Sequence, residues 1–266
     1  MPGRVVVVTS GKGGVGKTTT TANVSASLAG KGYKVVALDA DIGLRNLDVV
    51  LGLENRIVYT LVDVIEGVCR LPQAMVRDKR VPNLFFIPAA QTRTKDAVSS
   101  EQMADLCKTL QQDFDFVFVD SPAGIEAGFR NAAAGATEAL VVTTPEVSAV
   151  RDADRIIGML ESLEIAPIRL VLNRVRADLV KRGDMLTVSD VLDILAIDLV
   201  GVVPNDDSVV VSTNRGEPLT LGMQSPACKA FDNIGLRMTG EEIPFLDIDD
   251  FGQKGFVGTL RKMFGF

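Results

Sequence analysis

Eight consecutive residues carry the strongest chemical signal in the chain. Gly11, Lys12, Gly13, Gly14, Val15, Gly16, Lys17 and Thr18 fit the spacing GxxxxGK[ST]. Glycines at these positions let backbone amides turn inward on phosphate oxygens, where a side chain would collide. Lys17 is expected to bridge the β- and γ-phosphates of ATP, Thr18 to ligate Mg2+, and Thr19 to touch the α-phosphate. Two acidic stretches are expected to complete the site. Asp120 ends the run Phe116-Val117-Phe118-Val119-Asp120 and suits magnesium, directly or through a water. The Ser121-Pro122-Ala123-Gly124 that follows offers the Gly124 N–H to a γ-phosphate. Asp39-Ala40-Asp41 reads as the end of another strand, with both carboxylates on one face. Asp41 is the candidate for orienting the attacking water. The ordinary role of a lone strand-end aspartate is a turn or helix cap, and it is the nearby phosphate loop that favours a functional role here.

These side chains need strands to carry them to one edge and helices to hold the strands apart. Short apolar, β-branched runs recur at 5–9, 35–41, 84–88, 116–120, 139–144, 169–173 and 199–204. They are continuous rather than alternating, which marks parallel strands buried on both faces. Helical stretches are expected at 18–31, 101–112, 148–163, 188–195 and 226–238. The alternation predicts an α/β fold, a doubly wound, mostly parallel sheet flanked by helices, with ligands at the carboxyl ends of the strands. In this frame the phosphate loop follows one strand and opens the first helix, which is the context the motif requires. The helix N-terminus adds partial positive charge.

Composition narrows the chemistry. The chain has 266 residues, 47% of them hydrophobic, enough for one large α/β domain. Histidine is absent, which excludes His-based acid–base catalysis, Ser–His–Asp triads and most transition-metal sites. The three cysteines, Cys69, Cys107 and Cys228, form no CxxC pair, so a reducing compartment fits better than a disulfide framework or a zinc site. The net charge of −6 disfavours sequence-independent DNA binding. No stretch approaches 18 apolar residues, so no membrane span is expected. With the first strand expected almost at the start, no targeting peptide is expected ahead of it.

Lys12 departs from a generic phosphate loop. GKGGVGKT carries a second lysine near its start, and in this it resembles the deviant Walker-A family of MinD- and ParA-type ATPases. The resemblance implies an ATPase in which the early lysine crosses a homodimer to the partner's nucleotide. Physically it would act as an arginine finger does, delivering a cation to the transferred phosphoryl group. A solvated lysine tolerated by the loop is the plain alternative. Similarity to the MinD branch extends over nearly the whole chain: Asp41-Ile42-Gly43-Leu44-Arg45-Asn46-Leu47-Asp48 resembles its switch I and Asp120-Ser121-Pro122-Ala123-Gly124-Ile125-Glu126 its switch II. Thr20-Thr21-Ala22-Asn23 and Asn173-Arg174-Val175-Arg176 are similar to cyanobacterial or plastid members. By resemblance, Asn173 and the loop Pro204-Asn205-Asp206 hold adenine, although Asn205 stands where many relatives carry Glu. The resemblance further implies septum-site determination through a division inhibitor, MinC, and a topological factor, MinE. The location it implies is the cytoplasm or plastid stroma, peripheral on the inner membrane surface.

The carboxyl-terminal end has its own signal. An ATPase domain is expected over 1–239, an acidic, mobile linker over 240–252 and an amphipathic tail over 253–266. At 100° per residue, Phe256, Val257, Leu260, Met263 and Phe264 fall within an arc of about 120°, while Lys254, Arg261 and Lys262 lie outside it. A basic segment with aromatics on its apolar face suits an anionic membrane surface, and MinD-type proteins carry a membrane-targeting tail at this position. A terminal helix docked on its own domain is the plain alternative. Three other readings compete for the whole chain. A ParA-type DNA-segregation ATPase would need an exposed basic surface and no such tail. An iron–sulfur carrier would need converging cysteines. A small-molecule kinase would need an acceptor site.

Overall fold

The computed structural model describes residues 2–247; the amphipathic tail and the end of the acidic linker lie outside the described residues. Among the described residues, eight strands form one sheet: β1 (Arg4–Thr9), β2 (Val35–Asp39), β3 (Val76–Arg77), β4 (Leu84–Ile87), β5 (Phe116–Asp120), β6 (Glu138–Thr143), β7 (Ile168–Val175) and β8 (Asp198–Pro204). Their order is β3-β4-β2-β5-β1-β6-β7-β8. Every pairing is parallel except β3 with β4, which is antiparallel.

β1 lies in the interior, and its alternation divides the core in two. Val6 and Val8 face α1 (Lys17–Gly30) and the helix Pro226–Met238, where Leu28, Phe231 and Ile234 are buried. Val5 faces the helix Ser100–Leu110, and Val7 faces the helix Val147–Ser162. All four valines are fully buried. Each contributes about 1.5–3 kcal/mol by leaving water, an upper estimate against a compact unfolded chain. The sheet is therefore covered on both faces, as continuous hydrophobic strands require.

α1 would be a poor helix alone. It opens Lys17-Thr18-Thr19-Thr20-Thr21, a β-branched run of low helix propensity. Burial along nearly its whole length overrides that preference. Thr20 donates its hydroxyl back to the carbonyl of Gly16 at 2.9 Å.

One expectation needs correction, and two further features could not be read from sequence. β2 ends at Asp39, so Asp41 belongs to the following loop and not to a strand face shared with Asp39. β3 and short helices such as Leu47–Leu51 and Ser208–Arg215 carry too few residues to show a period in sequence. The described part of the acidic linker is mostly exposed and touches the domain at a few points. Arg237 donates to the carbonyls of Ile243 at 3.0 Å and Pro244 at 2.9 Å, and its guanidinium lies 4.0 Å from the Phe245 ring centroid. Leu246 packs against the core.

Candidate functional site

β1, β2 and β5 deliver three polar ends to one edge. Beyond β1, Gly14 and Gly16 take φ of 80° and 99°, a left-handed backbone that suits glycine. At Gly16 there is a second reason: a Cβ would stand 2.1 Å from Asn173 Nδ2. Gly11 is needed for close approach, since a Cβ there would meet the Asp152 carbonyl oxygen at 2.2 Å. The loop thus forms a cradle at the α1 N-terminus, with Val15 buried beneath it. It floors a cavity of about 420 Å³ lined by Gly13, Gly14, Gly16, Lys17, Thr18 and Thr19 on one side. Asp41, Leu44 and Pro122 close the other side.

At the cavity floor the structure brings together the residues expected to hold magnesium and phosphate. Lys17 Nζ lies 3.1 Å from Asp120 Oδ1. Thr18 donates its hydroxyl to Asp120 Oδ2 at 2.7 Å, and Thr21 donates to Oδ1 at 3.0 Å. Two hard oxygens, a hydroxyl and a carboxylate, stand side by side, with Thr18 lining the cavity and Asp120 buried next to it. That donor set fits magnesium, which takes few protein ligands and completes its shell with phosphate and water.

Asp39 has a different task. It stands opposite Asp120 in the sheet register. Oδ1 accepts the Asp41 N–H at 3.0 Å, and Oδ2 accepts those of Asn46 and Leu47 at 3.2 Å each. Asp39 therefore folds the loop 40–46 around its own carboxylate and sets Asp41 at the cavity wall. Burial pushes its pKa up to about 7, and the Asp120 charge adds to the rise.

A second cavity of about 270 Å³ adjoins the first, sharing Gly16, Thr19 and Arg174. Asn173, Pro204, Asn205 and Asp206 line it together with Phe231. Asn173 is fixed by donating to the Val15 carbonyl at 2.8 Å and accepting from the Arg174 N–H at 2.9 Å. Asp206 has its oxygens engaged elsewhere. Oδ1 takes the Ser208 N–H and hydroxyl, and Oδ2 takes the Ala227 N–H at 3.2 Å. Burial pushes its pKa up, but these hydrogen bonds outweigh burial and hold it below the ordinary value. Its carboxylate positions the loop.

Two expected site residues lie apart from the cavity floor. The Gly124 N–H donates to the Ser10 carbonyl at 2.9 Å, so meeting a γ-phosphate requires it to change partner. Lys12 is half-exposed, and its Nζ lies 3.7 Å from Glu146. Arg174, at φ 56°, lines both cavities and was not singled out from sequence. Only its place beside Asn173 hinted at it. Cys107 and Cys228 belong to core clusters on opposite faces of the sheet, against the convergence an iron–sulfur carrier would need.

The model of the CobQ/CobB/MinD/ParA nucleotide binding domain matches residues 6–219. A septum site-determining protein MinD from Synechocystis is 57% identical over 245 residues, covering 92% of each chain. The MinC:MinD cell division protein complex of Aquifex aeolicus holds a chain similar at TM-score 0.86 and 46% identity, over 92% of this chain and 99% of that one. The septum site-determining protein MinD of Pyrococcus horikoshii, complexed with Mg-ADP, superposes at TM-score 0.79 and 29% identity, over 88% of this chain and 95% of that one. A nucleotide cradle built on these residues, matched over nearly the whole length, means that this chain belongs to the CobQ/CobB/MinD/ParA family and, within it, to the MinD septum site-determining proteins.

Proposed function

We propose that this chain, an ATPase of the MinD family, pairs with a second copy when ATP is bound and that pairing attaches it to an anionic membrane surface. The observation that carries this reading is the position of Lys12. It belongs to the phosphate loop by sequence, yet its side chain leaves the cavity for Glu146 on the rim. From there it is free to be exchanged for the phosphates of a facing subunit. Leu44, which lines the cavity, is 62% exposed, and Ile125 and Val147, the sequence neighbours of Gly124 and Glu146, are 47% and 57% exposed. Exposed apolar residues such as these are what a second copy would cover.

Within each subunit the roles divide as follows. Thr18 and Asp120 would hold magnesium, which supplies positive charge to the phosphate oxygens when bound. Lys17 exchanges its partner, Asp120, for the β- and γ-phosphates. Loop N–H groups at 13–18 and the Gly124 N–H donate to the phosphate oxygens, and Asp41 orients the attacking water. Lys12 of the facing subunit stabilises charge on the transferred phosphoryl group. Asn173 and the loop 204–206 seat the adenine.

Membrane attachment falls to Phe256, Val257, Leu260, Arg261, Lys262, Met263 and Phe264, which lie outside the described residues. One such tail is marginal. Five apolar side chains at about 1.5–3 kcal/mol each must offset the ordering of roughly ten residues at about 1–2 kcal/mol each. Two tails on a dimer gain about 10²–10⁴-fold by avidity. Among the described residues no helix is long and apolar enough to cross a membrane. Peripheral attachment from the cytoplasm or stroma, with ATP on and hydrolysis off, is the matching cycle. The Aquifex relative is solved with MinC, and recruitment of that division inhibitor, with MinE as the topological factor, completes the reading.

Light scattering after gel filtration tests the pairing. Wild type is expected to be monomeric with Mg-ADP and dimeric with a non-hydrolysable Mg-ATP analogue. Lys12→Ala is expected to stay monomeric in both. A K12A chain that pairs like wild type would remove the basis of this reading.

A further inference from the structure

Arg80 lies in the turn between β3 and β4, far from the phosphate loop in sequence. Its guanidinium is held by a buried carboxylate: Nε lies 3.1 Å from Asp78 Oδ1 and Nη2 lies 2.6 Å from Oδ2. The same guanidinium donates in two further directions. Nη1 donates to the Gly216 carbonyl at 2.8 Å, and Nη2 donates to the Leu51 carbonyl. Those carbonyls terminate two short helices, Leu47–Leu51 and Ser208–Arg215. A cation at two helix C-termini meets the negative end of both dipoles.

The two helices also meet backbone to backbone. Gly52 and Gly216 follow them at φ 64° and 62°. A Cβ on Gly52 would stand 2.2 Å from the Gly216 carbonyl oxygen, and one on Gly216 would stand 2.6 Å from the Gly52 Cα. At their other ends, both helices start from the ligand cavities. Asp39 holds the Leu47 N–H, and Asp206 holds the Ser208 N–H. Helices of five and eight residues are marginal by themselves, so their position depends on how their ends are fixed.

We infer that Arg80 is a positioning residue that couples the base-binding loop 204–207 to the loop 40–46, which carries Asp41. This rests on the assignment of adenine to the Asn173–Pro204 cavity. Filling that cavity moves or stiffens the helix Ser208–Arg215. The Gly216–Arg80–Gly52 junction passes this to the helix Leu47–Leu51, whose start is continuous with the Asp41 loop. Base recognition thereby sets the geometry of hydrolysis without the base touching the reacting phosphate.

Hydrogen exchange on the full chain with and without ADP tests the coupling, using Arg80→Lys as the variant. Lysine keeps the charge beside Asp78 but lacks the fork needed to span Asp78 and both carbonyls. In wild type, ADP is expected to slow exchange at 204–210 and at 47–52. In R80K the slowing at 204–210 is expected to persist and that at 47–52 to vanish. The kcat for ATP hydrolysis is expected to fall about tenfold while the Kd for ADP changes less than about threefold. Equal slowing at 47–52 in both chains, or none there in wild type, would overturn the coupling. A proportional loss of kcat and ADP affinity in R80K would overturn it too, by showing a purely structural role. No slowing at 204–210 in wild type would overturn the base-site assignment, and the coupling with it.

Discussion

Asp39 and Asp120 face each other across β2 and β5 as register partners, and they do opposite things. Asp120 is held by side chains of the phosphate loop, Lys17 and Thr18. Asp39 is held by backbone N–H groups that shape a loop. Two adjacent buried carboxylates cannot both ionise freely, and the cost falls on Asp39.

That asymmetry sets a pH dependence. The folded Asp39 keeps its proton up to about pH 7, whereas unfolded it loses it near 3.8. Between those values the folded state binds more protons, so this group's contribution to stability falls as pH rises through that window. Asp39→Asn removes the titration and disturbs the loop hydrogen bonds. The melting-temperature gap between wild type and D39N is expected to narrow from pH 5 to pH 8. A gap that widens would contradict the assignment.

Asp120→Asn leaves Lys17 nearly buried without its counter-charge. Removing one partner of such a pair costs about 3–5 kcal/mol. Phosphate then supplies the missing charge. ADP without magnesium is expected to raise the melting temperature of D120N by more than that of wild type. Adding magnesium is expected to raise it further in wild type and little in the variant. Calorimetry with each ligand reads both effects.

Gly16→Ala puts a Cβ 2.1 Å from Asn173 Nδ2 at a residue whose φ is 99°. The left-handed backbone alone costs about 1–2 kcal/mol for an L-residue. Because Gly16 lines both cavities and Asn173 lines the second, the change strikes both cavities together. Titration calorimetry is expected to show ADP affinity reduced about tenfold or more, with AMP weakened too.

Glu138, far from the site, provides a control. It accepts from Arg4 at 2.6 Å and from Arg169 at 2.7 Å. Burial pushes its pKa up, but the two guanidinium groups outweigh burial and lower it. Its stabilisation is present above the ordinary value of 4.5 and is lost as pH falls through the lower folded value. Glu138→Gln is expected to cost about 2 kcal/mol at pH 7, less below pH 4, and to leave ADP affinity unchanged. Denaturant melts at both pH values check it.

Much of this was legible in the sequence because it is local. Thr18 follows Lys17 in a fixed motif, and the strand run before it is continuous, so phosphate loop, sheet class and the Asp120 strand tip could all be read. Asp41 could be found but not placed, because β2 ends when Asp39 turns its carboxylate onto the next loop. The helices Leu47–Leu51 and Ser208–Arg215 are too short for periodicity and are defined by tertiary end-fixings, among them Arg80. That Asp206 also anchors its loop, through Ser208 and Ala227, could not be read, because Ala227 is distant in sequence. The acidic run after Met238 suggested a free linker because nothing local announces that Arg237 grips Ile243 and Pro244.

The central claim, that ATP makes a weak lipid anchor sufficient by doubling it, is tested most directly by vesicle sedimentation. Anionic vesicles are mixed with the full chain, with K12A, and with a chain ending at Asp250, each with Mg-ATP or Mg-ADP. Only the full chain with Mg-ATP is expected to pellet. Pelleting of the full chain with Mg-ADP to the same extent, or of K12A with Mg-ATP, or of the shortened chain, would contradict it.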